Sequence, residues 1–210
     1  MKKIDLQSWK RKEHYEFFEQ FDEPFFSFTA NVDCGDSYNY AKKNGLSFFA
    51  LYLFESLVAV NQIPEFRLRI VDDEVIEYEA IHASSTIGRT DGTFGFSFIS
   101  FNGDFAVFLK ELKAEISAVA ACDGLRFTEN MMRADVIHFS AIPWIQFTAL
   151  SHPRNFKRRD SVPKITFGKV IHENNKALLP VGVHAHHGLM DGIHVGRFLE
   201  LFEQGLQKYR

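Results

Sequence analysis

The 210-residue chain lacks several features that would point to particular classes of protein. It has two cysteines, Cys34 and Cys122, which cannot form a disulfide framework, so we predict a reducing, cytoplasmic location. It has no stretch of about 18 apolar residues, and therefore no predicted membrane-spanning helix. Its N-terminal lysines precede no apolar core, which argues against a signal peptide. Its net charge is −3 and its basic residues form no long stripe, which disfavours nucleic-acid binding.

Phenylalanine, in contrast, is abundant, with 23 residues in the chain. Aromatic side chains of this kind fill a hydrophobic core, and they also line pockets for apolar or aromatic ligands. We expect most of them in the core. A smaller set therefore remains available to line a ligand pocket.

Hydrophobic periodicity predicts a mixture of helices and strands. The predicted helices cover residues 10–20, 47–62, 104–121 and 191–207. The predicted strands cover residues 25–32, 66–71, 75–80, 86–89, 93–101, 136–140, 145–150, 164–171 and 177–184. Hairpin turns dominate over βαβ alternation, which favours an α+β fold with helices packed on a mostly antiparallel sheet. No linker or repeat divides the chain, so we expect a single domain over residues 1–210.

The segment HAHHGLMDGIH, residues 184–194, contains four of the nine histidines and is the most informative part of the sequence. A histidine at a strand-to-helix turn suits a general base, because imidazole titrates near neutral pH. Asp191 can be held in a salt bridge that fixes the turn. Gly192 permits a backbone conformation or a close approach that other residues resist. The pattern HHxxxDG therefore indicates a candidate catalytic site.

Three other interpretations of this segment remain open on the residues alone. The histidines could be structural, packing at a strand end and bonding to the backbone. They could bind zinc together with Asp191, although neighbouring strand residues point to opposite faces and no HExxH motif occurs. Gly192 could also open an anion-binding turn at a helix N-terminus. Of these, a metal site has the least support, and we predict none.

Five segments, in order along the chain from about Trp9 to Leu206, resemble the chloramphenicol acetyltransferase family. They are WKRKEHYEFF (residues 9–18), AVNQIPEFRLRI (59–70), FSAIPWIQF (139–147), PKITFGK (163–169) and HHGLMDGIH (186–194). The resemblance implies the two-layer α+β sandwich of CoA-dependent acyltransferases. It also implies an O-acetyltransferase that uses acetyl-CoA to modify a hydroxyl of chloramphenicol or a related small alcohol. A homotrimer with active sites at subunit interfaces and a role in antibiotic resistance would follow.

The same resemblance implies catalytic roles for five residues. His187 would be the general base that removes the proton of the acceptor hydroxyl. Ser140 would stabilise the oxyanion. Thr166 would bind a water molecule in the transition state. Asp191 would form a structural salt bridge with Arg11, which ties the N-terminal segment to the catalytic turn.

The resemblance also implies binding residues and shows where this chain departs from the family. The implied acetyl-CoA residues are Trp144 and Lys169, and the implied acceptor residues are Phe18, Phe26, Phe96, Phe127 and His152. Phe18 stands where the family has a tyrosine, Phe96 where it has a small residue, and His152 where it has an aliphatic one. Ser47 replaces a lysine expected near the CoA phosphates, and His184 replaces a glutamine.

Two alternative functions follow from these departures. The chain could be a CoA-dependent acyltransferase with another acceptor or acyl chain. It could instead be a non-catalytic trimer that binds a ligand in an aromatic pocket. Acetyl transfer is the expected activity because His187 and Ser140 are both present, and the identity of the acceptor stays open.

Overall fold

A computed structural model describes residues 1–156 and 159–209, so positions 157, 158 and 210 of the predicted domain lie outside the described residues. The strands in these ranges are β1 (Lys2–Lys3), β2 (Phe25–Asp33), β3 (Leu68–Val71), β4 (Glu74–Glu77), β5 (His82–Gly88), β6 (Phe94–Ile99), β7 (Val136–Ala141), β8 (Lys164–Phe167), β9 (Ile171–Glu173) and β10 (Lys176–His186). The α-helices are α1 (Lys12–Phe18), α2 (Gly35–Asn44), α3 (Phe48–Asn61), α4 (Phe105–Ala120) and α5 (Gly192–Leu206). Within the described part of the chain, no helix is both long and apolar enough to cross a membrane.

The main sheet contains seven strands in the order β2-β10-β8-β7-β5-β6, and β9 pairs with β10 beside this path. Its β5–β7 and β7–β8 pairs are parallel, and its other pairs are antiparallel. Strands β1, β4 and β3 form a second, smaller sheet. The predicted α+β class is confirmed. The two parallel pairs were not predicted, because hairpin turns in the sequence report only pairings between strands that are close along the chain.

The two faces of the main sheet differ in character. One face carries buried apolar residues such as Phe139, Phe167 and Val181, which belong to the same core cluster as residues of α3, α4 and α5. The ring of Phe167, for example, contacts Tyr52 of α3 and Phe202 of α5. The alternating residues point to the opposite face, because side chains of a strand alternate between the two faces. That opposite face carries the polar residues of the candidate site.

The predicted strand over residues 145–150 is wrong. These residues form an irregular segment whose apolar side chains cover two glycines of the sheet. Phe147 lies over Gly168 and Leu150 lies over Gly182, and a Cβ atom added to either glycine would clash with the side chain above it. The apolar alternation that suggests a strand therefore reflects packing on the sheet surface and not pairing within it.

Two further predictions need correction. The predicted strand over residues 164–171 is divided into β8 and β9. The N–H of Gly168 donates to Pro180 O at 2.8 Å, but Pro180 has no N–H with which to return the bond, and the pairing with β10 stops there. Helix α2 was not predicted, since its sequence GDSYNYAKKN has little apolar periodicity. It ends at Gly45, whose positive φ of 62° gives a left-handed C-terminal cap.

Candidate active site

His187 lies in the turn between β10 and α5, and contacts on several sides fix its position. Its main-chain N–H donates to Pro24 O at 2.8 Å, and its main-chain oxygen accepts from Arg11 at 3.1 Å. Its ring stacks on Phe18 with 4.0 Å between centroids and 5° between planes, and Phe26 lies 4.6 Å away. The side chain is nevertheless 34% exposed. The imidazole is therefore held in one orientation and remains accessible.

Arg11 and Asp191 form a two-bond ion pair beneath this turn. Arg11 Nη1 donates to Asp191 Oδ2 at 2.5 Å, and Nη2 donates to Oδ1 at 3.1 Å. The hydrogen bonds from Arg11 hold the pKa of the Asp191 carboxyl below its ordinary value. Asp191 Oδ1 also lies 3.3 Å from His187 Nδ1. The pair thus ties the segment before α1 to the start of α5, and Arg11 reaches the backbone of His187 as well.

Two other histidines of the motif have structural contacts. The ring of His186 is 2% exposed, and its Nδ1 accepts the main-chain N–H of Gly188 at 3.2 Å. A Cβ atom at position 188 would stand only 3.1 Å from the His186 ring, so this turn favours glycine. His194 Nδ1 accepts the main-chain N–H of Asp191 at 2.9 Å, which satisfies a free donor at the start of α5. The structural interpretation therefore fits His186 and His194.

A second group of residues lies on the polar face of the main sheet. Gly182, Thr166 and Ser140 are paired across β10, β8 and β7, so the Thr166 and Ser140 side chains point to the same face. Ser140 Oγ lies 3.5 Å from Thr86 Oγ1 on the next strand. Ser140 also lines a cavity of about 890 Å³ with aromatic and apolar walls, formed in part by Phe94, Phe96, Met131, Ile142, Trp144 and His152.

His152, which lines this cavity, is in contact with His184. Their ring centroids are 4.4 Å apart and their planes are nearly perpendicular. His152 Nε2 lies 2.8 Å from Thr166 Oγ1, and His184 Nε2 donates to Leu150 O at 3.1 Å. Burial lowers the pKa of His152 to about 4, and it also lowers the pKa of His184. Both rings are therefore uncharged at neutral pH.

The residues assigned to acetyl-CoA lie close together on the surface. Trp144 is 71% exposed, and the Lys169 side chain is exposed as well. The main-chain N–H of Lys169 donates to Ile145 O at 2.8 Å, which joins the two segments. Ser47, in place of the expected lysine, is the N-terminal cap of α3, and its hydroxyl accepts the N–H of Ala50 at 3.3 Å.

Phe127 is 74% exposed, and its ring centroid is 6.0 Å from that of Phe96, which lines the cavity. Thr86 and His138 are among the cavity residues that carry no assignment from the sequence. No local motif marks them. Their only signal is strand register, which places Thr86 beside Ser140 and His138 beside Lys164.

The structure separates the predicted catalytic residues, and most of the predicted binding residues, into two groups. We call Arg11, Phe18, Phe26, His187 and Asp191 the base half-site, and Phe96, Ser140, Trp144, His152 and Thr166 the pocket half-site. His187 lies five residues beyond Gly182, just past the end of β10, and two strand spacings separate β10 from β7. These offsets put His187 roughly 20 Å from Ser140 within one chain. One copy of the chain therefore does not bring the two residues together.

Within residues 1–156 and 159–209, no three His, Cys, Asp or Glu side chains form a group that could hold a metal ion.

Comparison with known proteins identifies a family that the chain resembles in sequence. The family model for chloramphenicol acetyltransferase matches residues 1–203. A chloramphenicol acetyltransferase of Proteus mirabilis is 29% identical over 202 residues, covering 96% of this chain and 92% of the relative. One from Bacillus pumilus is 30% identical over 200 residues, covering 95% of this chain and 90% of the relative.

Solved structures agree with this assignment. A chloramphenicol acetyltransferase aligns with a TM-score of 0.92 and 33% identity, covering 98% of this chain and 99% of that chain. A probable dihydrolipoamide acetyltransferase from Listeria monocytogenes aligns with a TM-score of 0.65 at 14% identity, covering 100% of this chain and 95% of that chain. At that identity, the second match shows a shared fold and no more.

Proposed function

Because the chain belongs to the chloramphenicol acetyltransferase family and is an acyltransferase, we propose that it transfers the acetyl group of acetyl-CoA to a hydroxyl of chloramphenicol or of a related small alcohol. The observation that supports this most is the setting of His187. Its ring lies between Phe18 and Phe26 with one edge near Asp191, yet a third of the side chain is open to solvent. A general base needs both a fixed orientation and access to the acceptor.

In the proposed reaction, His187 Nε2 removes the proton of the acceptor hydroxyl, since Nδ1 faces Asp191. The resulting alkoxide attacks the thioester carbonyl, and Ser140 donates a hydrogen bond to the tetrahedral oxyanion. The C–S bond then breaks, and the imidazolium returns its proton to the leaving thiolate. The products are the acetyl ester and CoA as a free thiol. General-base catalysis contributes about 10²- to 10⁴-fold in rate, and one oxyanion donor contributes about 10²- to 10³-fold.

We further propose that the active site forms between neighbouring copies in a homotrimer, with the base half-site of one chain facing the pocket half-site of the next. The separation of His187 and Ser140 within one chain supports this. Exposed apolar side chains lie near both half-sites. Ile193 at the start of α5 and Phe28 of β2, beside Gly192, lie near the base half-site, and Phe94 and Trp144 line the cavity. When head-to-tail contacts close into a ring, every copy forms the same two interfaces.

An acceptor other than chloramphenicol is the second candidate, and two cavity residues favour it. Phe96 and His152 line the cavity at positions where the family resemblance leads us to expect a small and an aliphatic side chain. They change both the volume and the polarity available to the acceptor. The chemistry at His187 and Ser140 is the same in either case.

The test is release of free CoA thiol from acetyl-CoA by purified protein, with and without chloramphenicol. We expect drug-dependent release that is lost in His187→Ala and retained in His14→Ala, a matched change of an exposed histidine. No release with chloramphenicol, but release with other small alcohols, would select the second candidate. No release with any hydroxyl acceptor would overturn acetyl transfer, and retained acetyl-CoA binding would then favour the non-catalytic alternative.

We also propose a cytoplasmic location, a role in antibiotic resistance and a single catalytic domain over residues 1–210. The absence of a disulfide framework from the sequence supports the location, and the family supports the role. Expression of the full chain in a chloramphenicol-sensitive bacterium should raise the concentration of drug that stops growth, and the His187→Ala variant should not.

A further inference from the structure

His152 lines the cavity, but the polar atoms of its ring point away from it. Nε2 contacts Thr166 Oγ1 at 2.8 Å. Nδ1 is buried and has no hydrogen-bond partner among the described residues. The ring therefore presents mainly carbon to the acceptor and uses its one hydrogen bond on a buried threonine. A histidine placed only to contact a ligand would direct a nitrogen into the cavity.

The surroundings of His152 keep the imidazole uncharged. Its neighbour His184 donates Nε2–H to a carbonyl, and Lys164 on β8 adds positive charge nearby. Burial first, and then these neighbours, lower the pKa of His152 to about 4. A neutral imidazole has one N–H donor and one bare nitrogen, so the single contact with Thr166 decides which nitrogen carries the proton.

The two possible tautomers differ in what they leave unpaired. If Nε2 only accepted, the proton would lie on Nδ1, as a buried N–H without an acceptor. Main-chain N–H groups that are buried without a partner are rare in folded proteins, whereas unpaired carbonyl acceptors are somewhat better tolerated. The same preference disfavours an unpaired ring N–H. The favoured tautomer has Nε2–H donating to Thr166 Oγ1. The hydroxyl proton of Thr166 is then free, on the same face of the sheet as Ser140.

We propose that His152 is a positioning residue for acetyl transfer, which holds Thr166 as an acceptor so that the Thr166 hydroxyl donates its proton toward the reacting atoms beside Ser140. This inference rests on the proposed function. His152 acts through Thr166 alone, and its edge-to-face contact with His184 holds the His152 ring in place. Its effect belongs to the chemical step and not to binding of acetyl-CoA.

A double-mutant cycle tests the coupling. His152→Leu should lower kcat about five- to tenfold, the value of one hydrogen bond, with KM for acetyl-CoA changed less than twofold. His152→Gln, whose amide reaches about as far as Nε2, should recover most of this loss. In a Thr166→Val background, His152→Leu should have almost no further effect. Equal losses in the presence and absence of the Thr166 hydroxyl would overturn the inference. His172→Leu, at an exposed position of β9 that does not line this cavity, is the matched control and should leave kcat unchanged.

The tautomer of His152 can be determined without an activity assay. Two-bond ¹H–¹⁵N correlation of histidine-labelled protein, with His152 assigned from the His152→Leu spectrum, should show the proton on Nε2. A proton on Nδ1 would overturn the inference even if the enzyme is active. Conversely, a wild-type protein that releases no CoA with any acceptor would reject the proposed function, whereas the tautomer can still be read from the spectrum.

Discussion

The ring of His187 lies parallel to the ring of Phe18, with 4.0 Å between their centroids. The two residues are far apart in sequence, and the contact joins the end of α1 to the turn before α5. The stack restricts rotation of the imidazole about its side-chain bonds, because a rotated ring would lose the face-to-face contact. The flat surface of Phe18 thus orients the proposed base without a hydrogen bond.

Replacing the flat ring should lower catalysis. We expect Phe18→Leu to lower kcat about two- to tenfold, because an aromatic contact of this kind stabilises by about 0.5–1.5 kcal/mol. Phe18→Tyr keeps the ring and should retain kcat within about twofold. Steady-state kinetics at saturating acetyl-CoA measure the difference. Equal losses in both variants would show that the ring plane does not matter.

The ion pair between Arg11 and Asp191 should contribute to both stability and catalysis. Arg11→Lys keeps the charge but cannot reproduce two parallel hydrogen bonds and the third to His187 O. We expect a loss of about 1–2 kcal/mol in the free energy of unfolding, measured by urea denaturation, together with a lower kcat. Lys10→Arg, one position earlier, is the control. An Arg11→Lys protein as stable as the wild type would contradict a two-bond pair.

The same pair predicts how stability depends on pH. The Arg11 hydrogen bonds lower the pKa of Asp191 from its ordinary value of 3.8, so this contribution is fully present above pH 3.8. It is lost as pH falls through the lower pKa of the folded protein, because protonation of the carboxyl removes the pair. Asp191→Asn should therefore be less stable than the wild type at pH 6. The gap should close on acidification below pH 3.8, and a gap independent of pH would contradict the assignment.

Local patterns in the sequence correctly predicted several helices and hairpins. Helix α3 is apolar on nearly all sides, helix α4 has a long apolar stripe, and the turns at Asp91 and Asn174 join paired strands. The strand predicted over residues 145–150 was wrong, because the alternating apolar side chains of this segment cover Gly168 and Gly182 and the segment does not pair in the sheet. The parallel pairing of β7 with β5 and β8 joins strands that are distant along the chain, so no short segment of the sequence predicts it.

For the site, the motif around His187 identified the proposed base and its carboxylate partner, because both lie in one turn. The contact between His152 and Thr166 could not be predicted, since the two residues lie 14 positions apart in the sequence and no short motif links them. Nor did the sequence show that His187 and Ser140 lie far apart within one copy. That distance follows from strand order and register, which appear only when the sheet is assembled.

Two glycines of α5 should respond in opposite ways to the same substitution. At Gly205, an added Cβ atom would clash with the buried side chain of Glu55, which is 4% exposed and accepts a hydrogen bond from Tyr209 at 2.7 Å. At Gly196, nothing lies within 4 Å of the added atom. Alanine is favoured over glycine in a helix by about 1 kcal/mol.

We therefore expect Gly196→Ala to stabilise the protein by up to about 1 kcal/mol. Gly205→Ala should destabilise it by about 1–3 kcal/mol, because Glu55 must move and its buried hydrogen bond with Tyr209 is strained. Thermal and urea unfolding of the two variants measure this, and Tyr209→Phe separates the hydrogen bond from the clash. Because helix propensity is the same for both glycines, stabilisation of both variants would show that Glu55 does not limit the space beside α5.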